Sequence, residues 1–581
     1  MALSQGWFYR HLIFSDGTSY LDIAANYARG NWRAALNEYW SPLVPWILAV
    51  VMKIFHPSPY WQAAAQHFVN LGLFCLSLAA LELFLAELAR RAERSAVSEL
   101  TLRIAGYTGL FWAGLHLIGV YECSPDMLAM LLLFVISFLL LRISRGAAGS
   151  GTYVAFGVLL GLGFLSRAAF LPLVAIYVAV VCAMLWRGGR HFIVPAALIC
   201  ASALLVMGPF VAALSVAKGR FTLGATGRLN YAWEICGAPL YIHWQGEPYD
   251  IGTPQHPTRK ISVKPAAYTF VGPVPGAYPL WYEPSYWYAG VAPHLELGPQ
   301  LRVLFRSNEY LAVLLLLEAP PVAIPALLLV FLSGWRRWLS RRGIAAYWFL
   351  LIPIAVYIEL HCLVFLDRRY IAAALVIVWL CLLASLPAGG VSAAVRRWFN
   401  AGIQVLCGLF CIVFIAMRLA GPAGWAARDL VHRTEDEWNL EWMIAERLRD
   451  LGVGPGDRVA YIGDSMNADW VRLVNAQIVA EVPTTWYRPK HMPWSIMADR
   501  SGVRQFWEAA PEVRERILDE FRRVGATLVV ADKVPPEATR DGWQTVLRPG
   551  TPHLPRSDEQ MDYKTTAFLP LTTERAGLPR R

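Results

Sequence analysis

The sequence contains a long series of apolar stretches, several of which are long enough to cross a lipid bilayer as helices. A hydrocarbon core of about 30 Å requires roughly 20 apolar residues in a helix. Hydrophobic residues make up 56% of the 581-residue chain and charged residues only 16%, which excludes an ordinary soluble protein. We therefore predict about ten membrane spans, at residues 62–88, 102–120, 127–141, 153–165, 170–186, 192–216, 310–332, 344–360, 371–386 and 401–419.

The loops between these spans alternate in arginine content, which predicts the orientation of the chain. Lys and Arg accumulate in short cytoplasmic loops because they translocate poorly. Five basic loops share that side, with Arg90, Arg91, Arg94 and Arg103; Arg142 and Arg145; Arg187 and Arg190; Arg336, Arg337, Arg341 and Arg342; and Arg396 and Arg397. The segments predicted to face the periplasm or exterior are 1–61, 122–126, 166–169, 218–308, 361–370 and 421–581. These arginines explain much of the net charge of +10, so we expect membrane lipids and no nucleic acid as partners.

The order of the segments divides the chain into five predicted parts. They are an outer N-terminal segment (1–61), a first part of a transmembrane bundle (62–216), an outer loop (217–308), a second part of the bundle (309–420) and a C-terminal region (421–581). The outer loop is rich in Tyr and Trp, which argues for ordered structure because disordered segments are poor in aromatics. Its flat rings suit sugar faces or lipid headgroups, although an interfacial aromatic belt explains any single ring equally well.

The C-terminal region alternates helix and strand patterns, which predicts a small α/β domain. Residues 437–451 and 512–524 are amphipathic, and residues 458–463 and 526–531 have the composition of short buried strands. A glycine-rich turn at 452–456 precedes a strand instead of joining a strand to a helix, so it does not match a dinucleotide-binding fingerprint. We predict that this domain either caps the bundle or positions an acceptor.

Four groups of polar residues are predicted to lie on the outer face, next to apolar spans where ionisable side chains are costly and tend to mark function. Three of them also have a structural explanation. Asp16 stands in a turn-like Asp-Gly pair, Asp126 can cap a helix, and Arg167 can extend to the interface. The fourth, Asp367-Arg368-Arg369-Tyr370, places two cations where short-loop arginines should be scarce, which favours anion binding.

Taken in order along the chain, these groups resemble motifs of the GT-C superfamily of membrane glycosyltransferases. The resemblance is to the bacterial relatives of dolichyl-phosphate-mannose protein mannosyltransferases and lipid-A aminoarabinose transferases, and it spans most of the bundle. Each motif is short, but their order and shared outer placement make the combination moderately specific. The motifs are Asp16-Gly17 with Tyr20, Ser41-Pro42-Leu43 with Pro45-Trp46, Ser124-Pro125-Asp126, Gly161-Leu162-Gly163-Phe164-Leu165-Ser166-Arg167, and Arg369-Tyr370.

The resemblance implies both a fold and an activity. The fold would be an α-helical polytopic membrane protein of about 10 to 11 transmembrane helices, with an outer-loop subdomain and a C-terminal periplasmic α/β domain. The activity would be inverting transfer of a sugar from a polyprenyl-phosphate-linked donor to a lipid, glycan or protein acceptor. The active site would face the periplasm or exterior of a bacterial inner membrane.

The resemblance also implies roles for individual residues. Asp16 would be the general base for the acceptor, and Asp126, with Glu122 nearby, would orient that acceptor. Where the enzyme uses a divalent cation (Mg, Mn or Zn), Asp16 and Asp126 would bind it. The residues that would hold the donor phosphate are Arg369, Arg368, Arg167, Lys218 and Arg220. The aromatic residues predicted to bind substrate are Tyr20, Tyr231, Trp281 and Trp287.

Two features depart from the family pattern. Family members begin with a cytoplasmic N-terminus and a first membrane helix, whereas about 15 residues precede Asp16 here and they lack a continuous apolar core. We expect either a preceding membrane helix outside this sequence or translocation of the short N-terminus. Asp16 is also followed by Gly17, where some protein mannosyltransferases carry a second acid, which leaves metal dependence and acceptor type open.

Other classes of membrane protein share part of this pattern. A transporter or flippase of lipid-linked sugars would place charges or broken helices near the bilayer midplane, often in paired repeats, and these spans contain few internal ionisable residues. A polymerase or ligase of surface polysaccharide would share the donor, and a noncatalytic scaffold would tolerate loss of both acids. The glycosyltransferase hypothesis predicts that Asp16, Asp126 and Arg369 converge on one outward-facing cavity.

Overall fold

The computed structural model describes residues 1–92, 95–246, 251–318, 338–339, 343–389, 391–432, 440–489, 495–546 and 566–571. Helices dominate these ranges. The N-terminal helices are α1 (Ala2–Phe8), α2 (Ser15–Ala28), α3 (Trp32–Ala35), α4 (Leu43–Phe55), α5 (Pro59–Arg91), α6 (Glu99–Trp112), α7 (Asp126–Ser144), α8 (Ser150–Ser166), α9 (Phe170–Arg187) and α10 (Ile193–Lys218). The outer loop contains α11 (Thr226–Glu234), α12 (Pro279–Tyr282) and α13 (Pro284–Trp287), and is followed by α14 (Leu297–Glu318).

The second half of the bundle and the C-terminal region complete the set of helices. The bundle helices are α15 (Trp348–Cys362), entered through a 3-10 turn at Ile344–Tyr347, α16 (Arg368–Ala384) and α17 (Ala393–His432). The C-terminal helices are α18 (Leu440–Asp450), α19 (Asp469–Leu473), α20 (Ser501–Glu508) and α21 (Pro511–Arg523), with short 3-10 turns at Ser465–Asn467 and Pro536–Asp541. The predicted amphipathic helices at 437–451 and 512–524 correspond to α18 and α21.

Six helices within the described ranges are long and apolar enough to cross a membrane. They are Pro59–Arg91, Asp126–Ser144, Phe170–Arg187, Ile193–Lys218, Ile344–Cys362 and Ala393–Met417. Two shorter apolar helices, Leu43–Phe55 and Ser150–Ser166, accompany them. Only 17% of the apolar window in Ala393–Met417 is buried, so its side chains form an outer apolar surface of the kind that faces lipid. The chain is therefore a multi-pass membrane protein, as predicted.

Two parts of the predicted membrane topology lie beyond the described residues. The predicted span at 310–332 begins within α14, which is described only as far as Glu318. The basic loop with Arg336, Arg337, Arg341 and Arg342 also falls outside the described ranges.

A π-helix at Ala113–Ile118 follows α6 and ends the apolar segment, and the loop at 119–125 comes directly after it. A π-helix leaves backbone groups without their usual partners. The side chain of Gln5 in α1 supplies them, because its Nε2 donates to the carbonyl of Leu115 and its Oε1 accepts from the amide of Val120, each at 3.0 Å. The chain then turns at Gly119, whose φ of +91° favours glycine, and enters the segment that carries Glu122 and Asp126.

A seven-stranded sheet joins the outer loop to the C-terminal region. Its strand order is β1-β2-β4-β3-β7-β9-β8, in which β4, β3 and β7 are parallel and the remaining pairs are antiparallel. Its strands are β1 (Arg259–Val263), β2 (Ala266–Thr269), β3 (Arg458–Gly463), β4 (Gln477–Pro483), β7 (Leu528–Ala531), β8 (Gln544–Thr545) and β9 (Ala567–Pro570). A separate two-stranded sheet pairs β5 (Thr485–Tyr487) with β6 (Met497–Asp499).

The predicted C-terminal α/β domain is thus confirmed, and two of its strands come from the outer loop. The predicted strands at 458–463 and 526–531 are β3 and β7. The chain leaves the carboxyl end of β3 through residues 464–468 and enters α19, which packs against α2 and α5. The carboxyl edge of the parallel strands therefore faces the membrane bundle and α2, the helix that carries Asp16.

Candidate functional site

Arg369 lies at the centre of a cluster of four carboxylates near the ends of the bundle helices. Its Nη2 is 3.2 Å from Asp16 Oδ2, and its Nη1 donates to Glu122. Its Nε is 3.3 Å from Asp367 Oδ2 and 3.7 Å from Asp126 Oδ2. The structure therefore brings together Asp16, Glu122, Asp126 and Arg369, although Asp16 and Arg369 are 353 positions apart in the chain. We call these groups, with Asp367 and Arg167, the acidic cluster.

Arg167 contacts one carboxylate oxygen of Asp126, and Arg369 lies near the other. It donates to Asp126 Oδ1, and its guanidinium carbon lies 4.2 Å from the centre of the Tyr370 ring. The hydroxyl of Ser124 donates to Asp126 Oδ2 at 2.6 Å. Arg167 is therefore a member of the cluster, and its position at the end of α8 is not explained by extension to the interface alone. Arg368 adjoins Arg369 at the start of α16.

Gly17 allows the segment that carries Asp16 to approach the segment that carries Glu122 and Cys123. Residues 15–18 form the first turn of α2, and not the isolated turn that an Asp-Gly pair commonly indicates. A Cβ atom on Gly17 would lie 2.4 Å from the Cβ of Cys123, which no pair of carbon atoms tolerates without a shift. The neighbouring carboxylates of Asp16 and Glu122 can share Arg369 because this contact is so close. The second acid that some protein mannosyltransferases carry at this position would not fit here.

Helix α2 presents two different faces to its surroundings. Asp16 and Tyr20, four residues apart, share the face toward the acidic cluster. Thr18 and Asp22 share another face and contact α19 of the C-terminal domain. The Thr18 hydroxyl donates to Asp469 Oδ1 at 2.8 Å, and Arg472 Nε lies 3.0 Å from Asp22 Oδ1. The helix that carries Asp16 is therefore held between the membrane bundle and the C-terminal domain.

The acidic cluster carries more negative than positive charge. Four carboxylates (Asp16, Glu122, Asp126 and Asp367) share two guanidiniums, those of Arg167 and Arg369, an excess of two negative charges if all are ionised. Burial raises the pKa of Asp16, against the lowering effect of Arg369. Burial likewise raises the pKa of Glu122 to about 7, although the same arginine lowers it. A carboxyl group that takes up protons near neutral pH is suited to acid or base chemistry.

Aromatic side chains line the cluster where it meets the outer loop. The ring of Tyr20 lies 5.1 Å from that of Trp40, and Trp40 lies 5.3 Å from Trp281. The hydroxyl of Ser19 in α2 donates to the backbone carbonyl of Trp281 at 3.0 Å, which holds Trp281 next to the helix that carries Asp16. The rings of Tyr20, Trp40 and Trp281 are all buried. Tyr20 and Trp281, both predicted to bind substrate, thus lie at the cluster.

Tyr241 also lies at the cluster, although no sequence pattern singled it out as a site residue. Its ring is 5.2 Å from those of Trp233 and Trp281, and its φ is +69°, a conformation rare for residues other than glycine. His243, two residues on, also has a positive φ, and its Nε2 lies 2.6 Å from Glu481 Oε1 in β4. Glu481 is completely buried and accepts a second hydrogen bond from Tyr278. Strand β4 therefore helps to fix Tyr241.

Two predicted phosphate-binding residues, Lys218 and Arg220, pair with carboxylates outside the acidic cluster. Lys218 Nζ is 3.2 Å from Glu283 Oε2, and Arg220 pairs with Glu38. Glu283 directly follows α12, the helix that contains Trp281. Lys218 therefore lies next to α12 and is not within the acidic cluster.

Two predicted substrate-binding residues also lie away from the acidic cluster. Trp287 is buried, and its Nε1 donates to the carbonyl of Pro279 at 2.9 Å, so it stabilises the turn between α12 and α13. Tyr231 stands in α11, where burial and the nearby Cys236 raise the pKa of its hydroxyl. Both residues support the outer loop, and neither is brought to Arg369.

The carboxylates of the acidic cluster have the chemistry of a divalent-cation site but not its arrangement. Hard divalent cations require several oxygen ligands that converge on one point. Here the guanidinium of Arg369 stands between the carboxylates, and the described residues contain no group of three or more His, Cys, Asp or Glu side chains that could hold a metal ion. The residues as arranged therefore do not fit the predicted metal site at Asp16 and Asp126.

Comparison with solved structures decides the fold. The structure of ArnT from Cupriavidus metallidurans in the apo state matches 100% of this chain and 97% of its own, with a TM-score of 0.50 and 12% identity. The chain has the GT-C fold. This confirms the fold expected from the motifs, with a helical membrane bundle and a C-terminal sheet domain in one architecture. At 12% identity the likeness concerns the fold, so the chemistry has to be argued from the acidic cluster.

Two further solved structures give weaker matches. The oligosaccharyltransferase of Archaeoglobus fulgidus in its apo form aligns with 91% of this chain and 68% of its own, at 13% identity and a TM-score of 0.44. The same protein crystallised with Zn and sulfate aligns over 91% and 63%, at 11% identity and a TM-score of 0.42. No protein-family model and no curated protein matches the chain.

Proposed function

We propose that this GT-C protein is an inverting glycosyltransferase that uses a polyprenyl-phosphate-linked sugar at the outer face of a bacterial inner membrane. One observation carries the proposal. Four segments, separated by apolar helices, bring Asp16, Glu122, Asp126, Arg167 and Arg369 together beside aromatic rings. Buried charges of this kind are costly and tend to be retained for function.

Asp16 is the proposed general base. In the reaction, the acceptor hydroxyl gives its proton to Asp16 while its oxygen forms a bond to the anomeric carbon of the sugar. The bond between that carbon and the phosphate oxygen breaks, and polyprenyl phosphate leaves with one more negative charge. Burial raises the pKa of Asp16, which makes its carboxylate a stronger base, and Arg369 at 3.2 Å keeps it oriented.

Arg369 and Arg167 serve two groups in this proposal. They pair with the carboxylates of the acidic cluster, and their proposed second role is to stabilise the charge that develops on the leaving phosphate. Uptake of a proton by Glu122, whose pKa is raised to about 7 by burial, would free one guanidinium N–H for that phosphate. No step in this scheme is assigned to a metal ion.

The decisive experiment is transfer by purified protein from radiolabelled polyprenyl-phosphate hexoses and pentoses, with and without a divalent metal. Asp16→Asn should abolish transfer while donor binding persists. Glu99→Gln, which removes an exposed carboxylate that pairs with Arg103, is the matched control and should retain transfer. Transfer by Asp16→Asn at the native rate would overturn the role of Asp16.

A transporter of lipid-linked sugars is the alternative that this experiment also tests. Its expected signature is movement of the donor across reconstituted vesicles with no sugar release from any donor. The ionic groups of the acidic cluster lie at the ends of helices, at the starts of α2, α7 and α16 and the end of α8, and not at midspan. That placement favours transfer chemistry at the membrane surface.

A further inference from the structure

A second ionic group, formed by Arg488, Arg306 and Glu234, stands beside the acidic cluster and has the opposite charge balance. Arg488 grips Glu234 with both arms of its guanidinium, at 2.9 Å from Nε and 2.6 Å from Nη2. Arg306 Nη2 lies 3.9 Å from the same carboxylate. The side chains of Arg488, Arg306 and Glu234 are 13%, 18% and 3% exposed, so two largely buried cations share one buried anion.

Part of the positive charge of this group is unsatisfied. Nη1 of Arg488 is buried, and the described residues offer it no hydrogen-bond acceptor. Burial, and to a lesser extent the nearby Arg488, lower the pKa of Arg306, whereas Glu234 raises it. A buried donor without a partner is costly, so an anion that entered here would be bound strongly.

A small cavity provides the space for such an anion. It has a volume of about 10 Å³ and is lined by Arg306, Ser307, Tyr310, Phe365, Leu366 and Arg488. That volume admits one water molecule or one phosphate oxygen. The Arg488 guanidinium lies 4.8 Å from the centre of the Phe365 ring, a cation–π contact that helps to fix its direction. Neighbouring Phe365 thus orients the cation at the cavity.

The location of the cavity indicates a lipid-borne anion. Arg306 belongs to α14, and the adjacent Phe305 is 71% exposed, as expected for a side chain that faces lipid. Phe365 precedes Arg369 by four residues, a distance of at most about 14 Å along the chain. The ring of Phe365, which Arg488 contacts, lies 6.1 Å from the ring of Tyr370, and the guanidinium carbon of Arg369 lies 5.3 Å from that same Tyr370 ring, so two neighbouring rings connect the two ionic groups.

We propose that Arg488 and Arg306 form a subsite for a phosphate group carried by a membrane lipid, with one phosphate oxygen in the cavity beside Arg488 Nη1. Where that phosphate belongs to the sugar donor, the inference rests on the proposed function. The phosphate of an anionic phospholipid has the same chemistry and is the other source. Glu234 is then an internal competitor that holds Arg488 when no lipid phosphate is present.

The test is binding of farnesyl phosphate to the purified full-length protein in nanodiscs of neutral phosphatidylcholine. Arg488→Gln and Arg306→Gln should each weaken binding by about 10- to 100-fold, the value of a hydrogen bond to a charged group. Glu234→Gln should tighten binding, because it removes the competitor. Farnesol should bind weakly to all variants, and Arg523→Gln, a change in an exposed surface pair, should bind farnesyl phosphate normally.

Opposite effects of the Arg and Glu changes distinguish a phosphate site from a structural role. If all three substitutions weaken binding together, or none changes it, the proposal is overturned. Arg488→Lys keeps the positive charge but loses the guanidinium. If the protein folds normally and the site binds phosphate, this variant should bind farnesyl phosphate with an affinity between those of the parent and Arg488→Gln. Phosphatidylglycerol discs that suppress farnesyl phosphate binding would identify a phospholipid headgroup as the occupant, and discs without effect would identify the polyprenyl phosphate.

The outcome is independent of the test of Asp16. Phosphate binding that depends on Arg488, together with no sugar transfer, would sustain the subsite and defeat the proposed activity. Transfer that depends on Asp16, together with native farnesyl phosphate binding by Arg488→Gln, would defeat the subsite alone.

Discussion

The Nε atom of Arg472 lies 3.0 Å from Oδ1 of Asp22, and this ion pair connects the C-terminal domain to the helix that carries Asp16. Both side chains are largely buried, at 5% and 14% exposure. Asp22 also accepts a hydrogen bond from the amide of Ala277 at 2.8 Å, so one carboxylate links α2, α19 and the outer loop. The C-terminal domain is therefore positioned to act on the reaction without touching the substrate.

We expect Arg472→Gln to lower sugar transfer because α2 loses its support. Removal of one partner of a buried ion pair costs about 3 to 5 kcal/mol, and the uncompensated Asp22 would shift α2. The measurement is kcat and KM together with thermal unfolding of the same preparation. A loss of kcat with little change in KM indicates misplacement of Asp16, and partial recovery by Arg472→Lys would support the ionic role. A variant that unfolds earlier but keeps native kcat would contradict it.

Gly17→Ala should impair the acidic cluster more than its size suggests. The new methyl group would meet Cys123 at 2.4 Å and push α2 away from Glu122. We expect at least a tenfold loss of transfer, or about 1.4 kcal/mol in the barrier. Gly72→Ala in α5, where the added methyl group has open space, is the control and should be neutral. Addition of Cys123→Gly to the Gly17→Ala variant should restore part of the activity, because it removes the side chain that the new methyl group meets. A double variant no more active than Gly17→Ala alone would refute the steric explanation.

The stability of the protein should fall as pH rises through the range in which Glu122 ionises. Burial raises the pKa of this carboxyl from 4.5 to about 7, so between these values the folded state holds a proton that the unfolded state releases. Its contribution to stability is complete below pH 4.5 and is lost as the pH approaches 7. Glu122→Gln should remove this dependence and unfold at a higher temperature than the parent at pH 8. Asp464, whose pKa is also raised to about 7 by burial, contributes in the same direction, so Asp464→Asn is measured in parallel.

Glu481→Ala should release the outer loop from the sheet. The Glu481 carboxylate is completely buried and pairs with His243 and Tyr278, so its removal strands two polar partners and costs about 3 to 5 kcal/mol. Limited proteolysis should then cut the outer loop (217–308) faster than in the parent. Glu512→Ala, a change at an exposed position of α21, should leave the cutting rate unchanged. If the outer loop is cut at the same rate in Glu481→Ala as in Glu512→Ala, the contact between His243 and Glu481 does not hold the loop.

The parts of the site that the sequence could predict are those that follow from the length of a segment and the side of the membrane it faces. The spans follow from the extent of apolar runs, and the alternation of arginines assigns Asp16, Glu122, Arg167 and Arg369 to one face of the membrane. A shared face is necessary for convergence on Arg369 but does not by itself produce it. The convergence is expected from the resemblance to glycosyltransferases, and the packing of the helices brings it about.

The parts that the sequence could not predict depend on pairings between distant segments. Nothing near Asp22 indicates Arg472, which is 450 positions away, and Tyr241 is one of many aromatic residues in the loop until Trp281 and His243 fix its backbone. The pairing of Tyr268 with Glu481 adds loop strands to a later domain, and β-strand composition alone does not encode such a partner.

The mixed sheet also has a consequence for how the chain is made. Strand β2 has to wait for β4, which is synthesised about 200 residues later, and until then its pairing edge is open. Tyr241 and His243 cannot settle before β4 arrives, because Glu481 belongs to that strand. An incompletely synthesised or prematurely terminated chain would therefore reach the membrane with its acidic residues in place but its outer loop unformed. The site for sugar transfer would therefore be complete only after the whole chain has been synthesised.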